Sequence, residues 1–251
     1  MQSRSHIKKI VHVVFFACGS FFALTAQAQW TAKAEAGAVA ARGNTETDSA
    51  NMKLDVGREF RRWKNTSSLA AVYASDETGA TGQRWEARAQ TDYKFLSDGF
   101  WFASGRYEDD RFSGFEYQTT YGTGLGWRFY DTPITKLTAQ IGAGFKASRE
   151  RDSFADDGIT FIPGERQEEL IGQFSINYEH ELTVTTKVID KFLVESGANN
   201  TFVQNELSLQ VRIMESLALA VGYAARYNSQ PPEEFEELDT LTTLNLVYEL
   251  K

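Results

Sequence analysis

The sequence predicts an all-β fold: an antiparallel, up-and-down transmembrane β-barrel of about twelve strands, with short turns at one end and longer loops at the other. Three observations carry this reading. Apolar and polar residues alternate at period two through most of the chain, in segments of about 10 to 13 residues, the length of a tilted strand crossing a bilayer. The connections differ in length in such a way that short and long ones fall on opposite ends. Aromatic residues (5 Trp, 10 Tyr and 18 Phe) are dense for so polar a chain, and many gather beside the short turns, where an interfacial girdle belongs.

Composition removes several classes first. The chain has 251 residues, with 26 Lys and Arg against 34 Asp and Glu, four prolines and one cysteine. The acidic balance argues against a nucleic-acid partner, which calls for a basic face. So few prolines and cysteines argue against a linker-rich or disulfide-framed protein. Residues 1–28 read as a cleaved secretory signal peptide. Arg4, Lys8 and Lys9 form a basic start, residues 10–24 are mostly apolar, and Ala26-Gln27-Ala28 is a small-residue cleavage site. The rival reading is a retained membrane anchor, but the polar sequence beyond Ala28 favours removal. Phe15-Phe16-Ala17-Cys18 makes a poor lipidation site. Cleavage leaves 29–251 as one barrel domain of 223 residues, with a charge balance of −11, no cysteine, and His180 as its one histidine. Cysteine chemistry and a multi-histidine metal site are then excluded. No apolar run of about 18 residues remains to form a transmembrane helix.

The alternating segments start near residues 30, 49, 66, 84, 100, 116, 135, 167, 186, 201, 216 and 238. The first two bring Lys33, Glu35, Lys53 and Asp55 to one face. Arg58 falls out of phase in the second, which implies a bulge at Gly57. The fourth is the clearest, with Trp85, Ala87, Ala89, Thr91, Tyr93 and Phe95 opposite Glu86, Arg88, Gln90, Asp92 and Lys94. A helix would scatter those charges around its circumference, so a strand is the better reading. In the sixth, Tyr117, Thr119, Tyr121, Thr123, Leu125, Trp127 and Phe129 oppose Gln118, Gly122, Gly124, Gly126 and Arg128. The seventh sets Leu137, Ala139, Ile141, Ala143 and Phe145 against Gln140, Gly142, Gly144 and Lys146. The eighth sets Leu170, Phe174, Ile176 and Tyr178 against Glu169, Gln173, Ser175, Asn177 and Glu179. The ninth, around 187–192, alternates poorly. Leu207, Leu209, Val211 and Ile213 oppose Glu206, Ser208, Gln210 and Arg212 in the tenth, and Leu217, Leu219, Val221, Tyr223 and Ala225 oppose Ala218, Ala220, Gly222 and Arg226 in the eleventh. The last runs from Leu238 to Leu250.

Ser97-Asp98-Gly99 and Met214-Glu215-Ser216 are tight turns, whereas the connection near 148–167 is long and that near 228–237 intermediate. This matches outer-membrane barrels, with periplasmic turns and extracellular loops. Trp63, Phe95, Phe100, Trp101, Trp127, Phe129, Tyr130, Tyr178 and Tyr248 all fall beside the short turns. A soluble barrel or sandwich also alternates, but the face opposite these rings is too polar and glycine-rich to be a solvent face alone. The inward face carries Lys53, Asp55, Glu86, Arg88, Asp92, Lys94, Glu206 and Arg212 as lumen charges, with small residues such as Gly122, Gly124 and Gly126 elsewhere. Both signs are present in similar number, so the charges are expected to pair across the lumen rather than line an ion-selective ring.

With these residues in view, the chain resembles the domain-of-unknown-function 481 family. The likeness rests on Gly37 and Gly43-Asn44-Thr45-Glu46-Thr47, on Tyr107-Glu108-Asp109-Asp110-Arg111-Phe112, and on Tyr121-Gly122-Thr123-Gly124-Leu125-Gly126. Gly142-Ala143-Gly144-Phe145 and the closing Leu244-Asn245-Leu246-Val247-Tyr248-Glu249-Leu250 add to it. It covers roughly 30–251. Members are often labelled salt-induced outer membrane proteins, so the resemblance implies an outer-membrane barrel and no agreed catalytic residues. One departure is the C-terminus: many outer-membrane proteins end on an aromatic residue, whereas this chain ends Tyr248-Glu249-Leu250-Lys251.

The sequence carries no specific catalytic signal. A lipid-hydrolysing barrel needs a histidine beside its nucleophile at the outer rim. His180 falls at the periplasmic end instead, five residues from Ser175. The acidic stretches Glu108-Asp109-Asp110, 152–157 and 233–237 are read as outward loops. They suit hard cations in kind but lack the spacing of a formed calcium site, so no metal or cofactor is expected. The reading is a monomeric, non-enzymatic protein of the cell outer membrane, in a Gram-negative-type envelope, with a structural, envelope-stress or narrow-pore role. Its expected partners are outer-membrane lipid, lipopolysaccharide and the outer-membrane assembly machinery. The alternatives are a lipid-modifying outer-membrane hydrolase and a soluble periplasmic β-barrel binding protein.

Overall fold

The computed structural model describes residues 29–41, 47–111, 113–154, 160–232 and 235–250. The expected signal peptide, residues 42–46 of the first loop, and the acidic residues Asp156, Asp157, Glu233 and Glu234 lie outside the described residues. Strands follow one another as β1 (Gln29–Ala41), β2 (Thr47–Phe60), β3 (Trp63–Asp76), β4 (Gly79–Lys94), β5 (Gly99–Asp110), β6 (Phe115–Asp131) and β7 (Thr135–Glu150). After β8 (Ser153–Phe154) and β9 (Phe161–Ile162) come β10 (Arg166–Glu181), β11 (Thr186–Gly197), β12 (Thr201–Arg212), β13 (Leu217–Asn228) and β14 (Leu238–Leu250).

Twelve of these strands close into one antiparallel barrel, each paired with its sequence neighbours. β8 and β9 stand apart as a small hairpin, so β7 pairs directly with β10. The barrel closes where β1 meets β14, and that ladder runs only from Ala32 to Ala36 on β1, whereas the β1–β2 ladder uses all of Gln29–Ala41. Closure gives every barrel strand a neighbour on both sides, although β1 and β14 are paired at the seam over only part of their length. The ninth segment, with its poor alternation, is a full strand, β11. The ladders run without a shift through Gly57, so there is no bulge there. Arg58 points outward with its guanidinium 5.1 Å from the centre of the Trp30 ring. Register shifts fall instead at Ala74/Ser75, Phe115/Tyr117 and Arg128/Tyr130.

Hydrophobicity is inverted relative to a soluble core. Among the described residues thirteen polar or charged side chains are buried against eight apolar ones, the reverse of what burial selects in water. The apolar residues are outside: Leu170 is 80% exposed and Ile141 68%. Aromatics bracket this apolar band. At the short-turn end Trp63 packs on Tyr93 at 4.9 Å, with Trp101, Trp127, Phe129, Tyr130 and Tyr248 exposed at the same end. At the long-loop end Trp85 stacks on Tyr107 at 4.9 Å, and Tyr107 on Tyr117 at 6.3 Å. Trp85 and Tyr93 are eight residues apart on one strand, about 26 Å along it, which fits the apolar band of an outer-membrane barrel. Phe100 corrects the girdle expected from sequence. Its phase on β5 turns it inward, where it is 4% exposed and packs against Gly126.

The charged lumen as candidate functional site

Period two on each strand decides what enters the lumen. On β5, Arg106 and Glu108 are inward while Tyr107 and Asp109 face out; on β13 Arg226 is inward. β5 and β13 lie on opposite sides of the twelve-stranded ring. Glu108 and Arg226 nevertheless meet: Arg226 Nη2 donates to Glu108 Oε1 at 2.5 Å and to Oε2 at 2.6 Å. This pair spans the lumen in its long-loop half. Arg106 donates to Glu195 of β11, and its Nη1 lies 3.6 Å from Glu108. The Phe202 ring fills the space between, with Arg106 at 4.8 Å, Arg226 at 5.2 Å and Lys146 at 5.9 Å from its centre. Glu108 and Glu195 are each 2% exposed. Charges so deeply desolvated persist only because each carboxylate has a guanidinium partner.

A second level lies toward the middle of the barrel. Lys53 donates to Glu206 at 2.9 Å. Arg88 contacts Glu86 at 2.6 Å and reaches across to donate to Gln204 of β12 at 3.0 Å, while Gln204 donates to Glu206. Asp55 attracts Lys53 at this level, and Lys53 in turn repels the like charge of Lys191. The third level, at the short-turn end, is mixed. Asp92 accepts from Gln90 at 2.7 Å, Lys94 pairs with Glu59, and Lys187 pairs with Glu249 at 3.0 Å. Phe100, Phe102 and the cluster Ala218, Ala220 and Val247 fill the space beside them.

Of the lumen charges expected from sequence, the structure therefore joins Lys53 to Glu206 and Arg88 to Glu86, and places Asp55, Asp92 and Lys94 on the inner wall. Arg212 is different. It is exposed at the short-turn rim, donating to the Val184 carbonyl at 3.4 Å, and belongs to the mouth. Sequence reasoning put Arg226 on the polar face of its strand but missed the rest of the deepest group: Arg106, Glu108, Glu195 and Phe202. Glu108-Asp109-Asp110 is not an outward loop but the end of β5. Glu108 is buried in the lumen, Asp110 lies 3.7 Å from Arg226, and Asp109 on the outer face binds Arg151 at 3.0 Å.

Arg88 bears on how wet the middle level is. Its side chain is 32% exposed, so water reaches it, and Arg88→Ala is expected to cost only about 1 kcal/mol. The melting of the heat-modifiable gel form measures this. A loss as large as that of a dry buried pair would show that the middle level is sealed.

No nucleophile–base pair forms around His180. His180 is on the outer face of β10, stacked on Tyr178 at 6.1 Å, with Nδ1 2.8 Å from Thr135 Oγ1. Ser175 faces the lumen, bonded to Gln140 at 3.3 Å, so the two side chains lie on opposite faces of one strand. Among the described residues no group of three or more His, Cys, Asp or Glu is placed to hold a metal ion.

With this geometry established, similarity to known proteins is informative. The model of a family described as "Protein of unknown function, DUF481" matches residues 34–250. The uncharacterized protein YdiY of Escherichia coli K12 is 27% identical over 221 residues, covering 86% of this chain and 81% of YdiY. An outer-membrane channel from Pseudomonas putida F1 superposes with a TM-score of 0.50 at 10% identity, over 92% of this chain and 98% of its own. The translocator domain of the autotransporter NalP from Neisseria meningitidis gives a TM-score of 0.49 at 12% identity, over 97% and 95%.

Proposed function

Since the chain belongs to the DUF481 family, whose description leaves its role open, we propose that it is an outer-membrane β-barrel of a Gram-negative-type envelope whose lumen is held shut by ion pairs. Its role is structural, in envelope stress, or that of a narrow pore, and it is not catalytic. Its partners are outer-membrane lipid and lipopolysaccharide, with the assembly machinery acting during insertion. The observation that carries this reading is the Glu108–Arg226 pair across the lumen of a barrel whose outer face is apolar.

Two measurements test it. Detergent should be needed to extract the protein from the outer-membrane fraction, and the extracted protein should migrate heat-modifiably; clean recovery in the periplasmic fraction would sink the membrane reading. In planar bilayers the purified barrel is expected to show low or no conductance with little ion selectivity, because the charges of both signs are paired. Large, stable channels would show that the network lines an open pore. The non-enzymatic reading has its own check: His180→Ala should leave any lipid-hydrolysing activity of the preparation unchanged, and loss of such activity would reverse that assignment.

A further inference from the structure

The β2–β3 turn gathers three arginines within five residues at the short-turn end, where, among the described residues, most other cations are paired and Lys64 and Arg212 form no ion pair. There Lys94, Arg128, Lys136 and Lys187 are each held by a carboxylate: Glu59, Asp131, Glu179 and Glu249. Arg58, Arg61 and Arg62 are exposed and form no ion pair among the described residues. Two of the three lie over aromatic rings, Arg58 over Trp30 at 5.1 Å and Arg61 over Phe60 at 5.2 Å. Arg61 also takes the left-handed conformation at φ 52°, which lets a two-residue turn join the strands. Trp63 follows directly and packs on Tyr93 in the girdle.

These features converge on one ligand chemistry. Girdle aromatics sit at headgroup depth. Cations stacked on them are therefore held where phosphates are, in a protein whose overall charge is −8. A guanidinium is a planar fork that matches two phosphate oxygens, and an anionic headgroup layer attracts each such cation. We propose that this turn binds the phosphodiester headgroup of an anionic phospholipid, of the phosphatidylglycerol type, in the leaflet at the short-turn end. The proposal rests on the membrane reading above.

The test uses the full barrel in vesicles of phosphatidylcholine alone and of phosphatidylcholine mixed with phosphatidylglycerol. Native mass spectrometry then counts the lipids that stay bound. Wild type should retain phosphatidylglycerol over phosphatidylcholine by about fivefold or more, and R58Q/R61N/R62Q should lose that preference while remaining heat-modifiable. Asn is chosen at 61 because it tolerates the left-handed backbone. R62Q alone, which alters neither a ring contact nor the left-handed position 61, should weaken the preference even if the triple variant folds poorly. An excess of free glycerol phosphate should leave it intact; its disappearance would show a site for soluble phosphate. A preference for lipid A phosphates over phosphatidylglycerol would place the turn in the other leaflet and overturn the proposal. Insertion in pure phosphatidylcholine with no later preference for phosphatidylglycerol would sink this proposal alone, whereas failure to insert in any vesicle would sink the membrane reading with it.

Discussion

Arg226→Ala is expected to destabilise the barrel by about 3–5 kcal/mol, the largest loss from any single charge removal in the lumen. Glu108 is 2% exposed, and Arg226 supplies both of its shortest hydrogen bonds. Removing the guanidinium leaves a buried carboxylate with only Arg106, at 3.6 Å and already committed to Glu195. The measurement is the temperature at which the folded band of the heat-modifiable protein disappears, compared with wild type. Arg226→Met combined with Glu108→Leu removes both charges and should recover most of the loss, since an apolar pair of similar size carries no desolvation cost. If Arg226→Ala melts like wild type, water fills the long-loop half and the lumen is not closed there.

The second large effect is expected where glycines of β6 and β7 meet in the barrel wall. Gly124 and Gly142 face each other across the ladder. A Cβ on Gly142 would run into the Thr123 carbonyl, and one on Gly124 into that of Ile141. The obstruction in each case is backbone, which cannot rotate away, so Gly142→Val must push two strands apart. Overpacking of side chains alone costs about 1–3 kcal/mol; here the cost should reach the upper end of that range or exceed it and slow the recovery of the folded band after denaturation. Gly105→Val is the control. Gly105 is on the outer face, where a Cβ would meet only the Tyr121 ring at 3.6 Å, an ordinary contact, and the change should be close to neutral. Equal losses at 105 and 142 would refute the argument.

Strand number and phase were legible in the sequence because an apolar outer face and a charged lumen impose period two on the strands. The expected start near 84 fell short of the true start of β4 at Gly79 for a local reason. Around Ala74 and Ser75 the register shifts, and the following Gly79-Ala80-Thr81-Gly82 offers no large side chain to mark a face. The lumen was legible only in part. Lys53, Glu86, Arg88 and Glu206 lie in regular mid-strand alternation, and their phase alone points them inward. Glu108 sits in a run of three acids at a strand end, which has the look of a solvated loop. Its partner Arg226 is 118 residues away, so nothing near Glu108 in the chain signals the pairing. Phe100 precedes Trp101, and only the phase of β5 separates a ring in the lumen from a ring in the girdle.

The short ladder between β1 and β14 has a kinetic meaning. Every other pair of neighbouring barrel strands is joined through nearby chain and can zip as a hairpin, whereas this pair unites the two extremes of the domain. Its formation must therefore come last and must repay the ordering of all the chain between. Until then both edges stand open, which a lipid medium would not tolerate. The few rungs from Ala32 to Ala36 make this join the easiest place for a partly formed ring to part and accept a strand from elsewhere. The molecule is thus least like a finished cylinder along one line, and along that line a folding catalyst would have to release it.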